Sequence, residues 1–158
     1  MDFPKLSFPG YNFKIESATL SRQSSKIFDI VRKKYVLLTP EEWVRQHLLH
    51  FLVNERKFPQ SLIGVEKKLI VNKLTKRTDV VLYSSSLKPL LIAECKAPGV
   101  KISQKAFDQA ARYNMTLGVL FLLITNGLET FVCRIDHTSH SYLFLEEIPH
   151  FDELKNDF

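Results

Sequence analysis

The residues able to do chemistry lie in the middle of the chain. Arg77-Thr78-Asp79 is followed, after fourteen residues, by Glu94-Cys95-Lys96. Strand side chains alternate between faces, so Glu94 and Lys96 share one face and Cys95 takes the other. Asp79 stands at the start of the preceding strand, and a hairpin between the two strands would bring it to Glu94 across the sheet. Two carboxylates with the backbone carbonyl of Cys95 make a hard, all-oxygen site suited to Mg²⁺ (or Mn²⁺), with water completing the shell. Lys96 adds a donor that can orient an attacking water or offset charge on the phosphorus. Metal-assisted phosphodiester hydrolysis needs this set. A lone E-x-K is a weak signal, but here it ends a run that is otherwise apolar, Leu90 to Ala93. Charges at the end of a core strand need a partner or a metal. Gln109 and Tyr113 follow at i, i+4 on a helix and share a face, from which both can reach the site or a DNA phosphate. The plainer alternative packs Tyr113 and leaves Gln109 in solvent.

Several elements must position these groups. Thr39-Pro40-Glu41-Glu42 is a helix start: a capping hydroxyl, a proline for the first helical position and acids at the positive end of the dipole. Trp43, Val44, His47, Leu48, Phe51 and Leu52 then form one apolar stripe, and the helix stops before Pro59. Lys26 to Leu38 reads as two short strands around a charged turn near Arg32–Lys34. Leu62 to Val71 alternates loosely, Asn72 to Thr75 is a turn, and Thr78 to Tyr83 is a strand rich in β-branched residues. Leu90 to Cys95 is a buried strand ended by Pro98 and Gly99. Ser103 to Leu117 is helical, and the almost wholly apolar Val119 to Thr125 fits a strand covered on both faces. Asn126-Gly127 is a turn, and Leu128–Ile135 and Tyr142–Leu145 are further strands. The order predicts an α/β fold with a central mixed sheet flanked by helices.

Composition is consistent with one domain of 158 residues, 45% apolar and 25% charged. That excludes a disordered chain, and five Gly with seven Pro exclude a collagen-like one. No apolar run approaches the roughly 20 residues that span a bilayer, and no secretory signal opens the chain, so no membrane partner is expected. Two cysteines make no disulfide framework, which fits a reducing, cytoplasmic setting. Five histidines lack zinc-ligand spacing with cysteine. The net charge of +5 is uneven: residues 54–105 hold eleven Lys and Arg against four Asp and Glu, while residues 136–158 hold one against six. The middle is the candidate anion-binding region. On charge alone, Lys67, Lys68, Lys73, Lys76 and Arg77 read as decoration on the solvent faces of two strands and their turn.

Asp79…Glu94-x-Lys96 followed by Gln109-x-x-x-Tyr113 resembles the PD-(D/E)xK nuclease superfamily with its RecB-type Q-x-x-x-Y extension. The nearer resemblance is to the N-terminal nuclease domain of type I restriction endonuclease R subunits, in a small stand-alone form seen in bacteria. It is carried by Thr39-Pro-Glu-Glu-Trp-Val-Arg-Gln46, Arg77-Thr-Asp79, Glu94-Cys-Lys-Ala-Pro98, Asp108-Gln-Ala-Ala-Arg-Tyr-Asn114 and Thr125-Asn-Gly127, in order, between Ile27 and Glu147. The resemblance implies a restriction-endonuclease-like fold with the site at the splayed end of the sheet. Asp79 and Glu94 would bind the metal, Lys96 would position water, and Gln109 and Tyr113 would assist. A glutamate of the first helix often completes such sites. Glu41 is preferred to Glu42, because it lies nearer the apolar stripe and precedes Arg45 by four. Thr78 stands where the superfamily motif has proline, a proline that the family often lacks. The expected layout is an arm over residues 1–25, a nuclease-like domain over 26–148 and an acidic tail over 149–158. No G-x-x-x-x-G-K-[ST] occurs, so no nucleotide cofactor is expected.

The expected activity is metal-dependent DNA endonuclease, with DNA as the partner. One alternative is a nucleic-acid-binding module of the same fold with little or no activity. Another is a subunit of a larger nuclease complex, or a homodimer formed through Phe3, Phe8, Tyr11 and Phe13. The preferred reading of those four is that they cover their own core, as Trp43 anchors the first helix.

Overall fold

A computed structural model describes residues 3–17, 25–71 and 73–154. Its first helix starts where the local chemistry dictates. The Thr39 side chain accepts the Glu42 N–H at 3.0 Å, Pro40 opens the helix, and α1 runs Pro40–Asn54. Ahead of it stand β1 (Ile15–Glu16), β2 (Lys26–Asp29) and β3 (Lys34–Leu37), a small antiparallel sheet in that order. After it come a single 3-10 turn (Gln60–Leu62) and β4 (Ile63–Val65). The expected strand Leu62–Val71 is thus broken. Glu66 has φ +51°, and β5 (Lys68–Val71) starts beyond it. β5 pairs with β6 (Leu74–Arg77), so Leu74 and Thr75 of the expected Asn72–Thr75 turn are strand, and Asn72 lies outside the described residues. Glu66 N–H bonds the Asp79 carbonyl at 2.9 Å and Thr78 N–H bonds the Lys67 carbonyl at 2.8 Å. These two bonds tie the β5–β6 hairpin to β4 and β7 (Val80–Tyr83).

The main sheet also holds β8 (Pro89–Cys95), β9 (Phe121–Thr125), β10 (Thr130–Asp136) and β11 (Ser141–Leu145), in the order β11-β10-β9-β8-β7-β4. β8 and β9 are parallel and the other neighbours antiparallel, so the sheet is mixed. The parallel pair needs a crossover, supplied by α2 (Gln104–Leu117). Ser103 caps α2, and Gly118 ends it at φ +69°, a left-handed stop that suits glycine. Leu91, Ala93 and Cys95 pack with α1 residues Val44, Leu48 and Leu52. Ile92 packs on the other face with Leu117. The fold is the expected α/β class, with a central mixed sheet flanked by helices. No helix among the described residues is long and apolar enough to cross a membrane.

The two ends of the chain pack more closely than an arm and a tail suggest. Leu6 is buried in the core and Ser7 N–H bonds the Gly127 carbonyl at 2.7 Å. Phe3 stacks on Trp43 at 5.2 Å, Phe13 lies 4.6 Å from His47, Tyr11 lies 5.2 Å from His50, and Phe8 lies 5.5 Å from Phe51. The aromatic residues that would dock on a second copy therefore cover α1 of their own chain. Residues 18–24 of the expected arm lie outside the described residues. At the other end, α3 (Phe151–Leu154) brings Phe151 to Phe58 at 5.5 Å and buries Leu154.

Candidate functional site

β7 and β8 do form the hairpin that the spacing requires. Val80 pairs with Ala93, so Asp79 and Glu94 follow at the same end of the two strands. The Asp79 carboxylate caps the end of β8 by accepting the Cys95 N–H at 2.8 Å. Lys96 N–H continues the parallel ladder to the Thr125 carbonyl at 2.8 Å. Alternation sends the Cys95 side chain into the α1 core and leaves Glu94 toward α2. Burial, and the nearby Asp79 charge, push the Cys95 thiol far above its ordinary pKa. It stays protonated, so only its backbone can serve a cation.

Each carboxylate is held by a cation, and neither cation is Lys96. Lys76 Nζ donates to Glu94 Oε1 at 2.6 Å. Arg45 Nη2 lies 3.3 Å from Asp79 Oδ1 and 3.2 Å from Glu41 Oε1. Lys96 is exposed and makes no ion pair among the described residues. Reading the Lys76 cluster as surface decoration is therefore wrong for Lys76, whose side chain is only 14% exposed. The side chains of β6 alternate, and Lys76 falls on the inward face.

Arg45 belongs to a larger buried network. Its Nη1 donates to Glu42 Oε2 at 2.5 Å, and Glu42 Oε1 accepts from Arg32 and Gln46. Arg32 and Gln46 also hold Asp29, which is fully buried. Burial opposes the Asp29 charge, but hydrogen bonds from Arg32 and Gln46 outweigh it and hold its pKa below the usual value. Burial likewise opposes the Arg45 charge, and Glu42, Asp79 and Glu66 outweigh it. By helical phase Glu41 is expected nearer the buried stripe. In the structure Glu42 is the buried acid and Glu41 the exposed one. The reason is that α1 has a second buried face, Glu42, Arg45 and Gln46, turned toward the β2–β3 turn. Glu41 nonetheless shares Arg45 with Asp79, which Glu42 reaches only through the other guanidinium nitrogen.

A cleft of about 820 Å³ opens between the β6 strand, the end of β8 and α2. Glu94, Lys96, Gln109 and Tyr113 all line it, so four of the residues read from sequence converge. Asp79 and Glu41 do not line it. They sit on the α1 side of the strand ends, joined through Arg45. Lys76, Arg77, Lys101 and Arg112 add positive charge to the cleft walls, and among the described residues Glu94 is the one acid there. Tyr113 packs its ring beside Leu69 and Leu117, as the plainer alternative has it, and its hydroxyl donates to the Thr75 carbonyl at 3.3 Å. Gln109 is exposed toward the cleft. Sequence reasoning missed Arg45 as a partner of Asp79 and Lys76 as a partner of Glu94. Only the charge cluster hinted at the second.

Among the described residues no three His, Cys, Asp or Glu side chains are grouped to hold a metal ion. The oxygen donors at the strand ends are the Asp79 and Glu94 carboxylates and the Cys95 backbone carbonyl. Oxygen donors of this type fit Mg²⁺ or Mn²⁺ and not a thiophilic ion. An ion entering there would replace positive charge with positive charge, since both carboxylates already face cations.

A mixed sheet with an acid before one central strand and Glu-x-Lys at the end of the next is the arrangement that the PD-(D/E)xK resemblance leads one to expect. Residues 40–149 match the family model described as type I restriction enzyme R protein N terminus, and the chain belongs to that family. No curated protein matches the chain. A solved fragment described as an HsdR subunit of a type I restriction enzyme from Vibrio vulnificus YJ016 is 24% identical, with a TM-score of 0.40. That match covers 58% of this chain and 19% of the other, so the chain spans about a fifth of that protein's length.

Proposed function

We propose that this domain is a Mg²⁺- or Mn²⁺-dependent DNA endonuclease module that works within a larger restriction assembly in the bacterial cytoplasm. One observation carries the reading: Asp79 and Glu94 close adjacent strands beside a basic cleft into which Lys96 is free to reach. Asp79, Glu94 and the Cys95 carbonyl would hold the ion, with Glu41 near enough to Asp79 to support it. The ion, when bound, supplies a Lewis acid and a bound water of lowered pKa. The chain's own groups do the rest. Lys96 Nζ donates to the attacking water or to a non-bridging phosphate oxygen, where its charge offsets the charge that develops. Gln109 presents an amide to the same cleft, and the Tyr113 ring and hydroxyl fix the β6 edge against α2. Lys101, Arg77 and Arg112 draw the DNA backbone in, a contribution that weakens with salt. Cutting both strands of a duplex takes two such sites.

Incubation with supercoiled plasmid and Mg²⁺ or Mn²⁺ tests this. Nicking by the wild type that Asp79→Ala abolishes supports it. Nicking that persists in Asp79→Ala points to a contaminant and refutes it. A second reading, a DNA-binding module without cleavage, is favoured by the cations already seated on both carboxylates. Its signature is salt-dependent binding with no cleavage under either metal.

A further inference from the structure

We propose that Lys76 is a place-holder for the divalent cation: its ammonium holds Glu94 while no ion is bound, and ion binding hands it to a DNA phosphate in the cleft. This rests on the metal-site reading above and extends it to a residue outside the motif. The geometry selects Lys76 from the other cations. It lies on β6 opposite Leu69, and Leu69 and Leu74 pack beside Tyr113 and Leu117, which anchors the hairpin to α2. Leu74 and Lys76 lie on the inward face of β6, so the lysine stem crosses the cleft from a fixed base. Its Nζ is 2.6 Å from Glu94 Oε1 and 5.1 Å from the Tyr113 ring centroid. Both partners are mostly withdrawn from water, with side-chain exposures of 14% and 22%.

A carboxylate in that setting is costly to leave unpaired, so some cation must sit on it at all times. An ion approaching either oxygen of Glu94 meets the ammonium's like charge at close range. The two cations are therefore mutually exclusive. Lysine suits an exchange of this kind because its charge is compact and its four-carbon stem is flexible. The other carboxylate has no such partner. Arg45 is 5% exposed and is shared among Glu41, Glu42, Glu66 and Asp79, which leaves it nowhere to go. Lys96 stands two residues from Glu94, just past the end of β8, yet its side chain makes no ion pair among the described residues. The released Lys76 would still face the cleft, where a phosphate is the only class of anion the surrounding Arg77, Lys101 and Arg112 would gather from DNA.

The experiment is calorimetric titration of Mn²⁺ into the whole chain without DNA, for wild type, Lys76→Met and Lys76→Arg. Lys76→Gln serves as a second charge-removing variant, and circular dichroism checks that each is folded. The expected result is an ion Kd about tenfold lower in Lys76→Met and Lys76→Gln, with Lys76→Arg close to wild type. Binding of a short duplex is then measured against salt, with Ca²⁺ as a non-cleaving ion and without any ion. The magnitude of the salt slope should fall by about one in Lys76→Met with Ca²⁺ and stay unchanged without it. Wild type that binds Mn²⁺, with charge-removing variants that bind it no more tightly, overturns the place-holder role and leaves the metal site standing. Absence of Mn²⁺ binding in every variant overturns both.

Discussion

Arg45→Met should be among the most damaging single substitutions in this chain, and its effect can be worked from the structure. Methionine keeps most of the stem and removes the guanidinium. Arg45 is 5% exposed, and Glu42, its shortest partner at 2.5 Å, is 8% exposed. Removing one partner of a buried ion pair costs about 3–5 kcal/mol, mainly because the other charge stays buried and uncompensated. Asp79, at 28% exposed, and Glu41, at 47%, can recover water and add little. For a chain of this size each kcal/mol lowers Tm by roughly 2–4 °C, so the expected drop is roughly 6–20 °C. Thermal unfolding followed by circular dichroism measures it. Glu42→Gln in the same chain closes a double-mutant cycle. The double variant should be more stable than additivity predicts by about 0.5–3 kcal/mol, since Glu42 no longer needs its partner. A loss below about 1 kcal/mol for Arg45→Met, or strict additivity in the cycle, would refute the claim that this network is buried and mutually dependent.

Two further predictions concern other parts of the same frame. Asp29 has its pKa held below the usual value, so its contribution to stability is full above the unfolded value of about 3.9 and is lost as pH falls through the lower folded value. Asp29→Asn should therefore be less stable than wild type near neutrality, with the gap narrowing in acid. A gap independent of pH in urea titrations would contradict this. Gly127 sits at φ +83°, and a Cβ there would come within 2.8 Å of the Leu6 side chain. Gly127→Ala should cost about 1–3 kcal/mol and shift the emission of Trp43, on which the leading segment packs. Unchanged stability and emission would show that this segment is not held at Gly127.

Much of the frame was legible because its signals are local. The Thr39 cap, Pro40 and the acids after it start α1 through groups within four residues of one another. The apolar run into Glu94 marks a strand covered on both faces, and Ser103 with Gly118 brackets α2 through its own backbone. The break at Glu66 was not legible. It depends on bonds from Glu66 and Lys67 to residues 79 and 78, which no nearby residue announces. The second buried face of α1 was likewise hidden, because Glu42, Arg45 and Gln46 look like solvent residues until the β2–β3 turn covers them.

By itself, then, the sequence determined which acids and lysines stand at the strand ends, which elements carry them, and the α/β class. Tertiary structure alone decided which charge each of them meets. It placed Lys76 on Glu94 and Arg45 on Asp79, left Lys96 open to the cleft, and divided the acids between the α1 and α2 sides of the sheet. The physical reason is reach. Backbone periodicity sets the face on which a side chain emerges, but an ion pair joins long side chains from elements distant in sequence. Its partner is settled only when those elements pack and shut out the water that would otherwise solvate each charge.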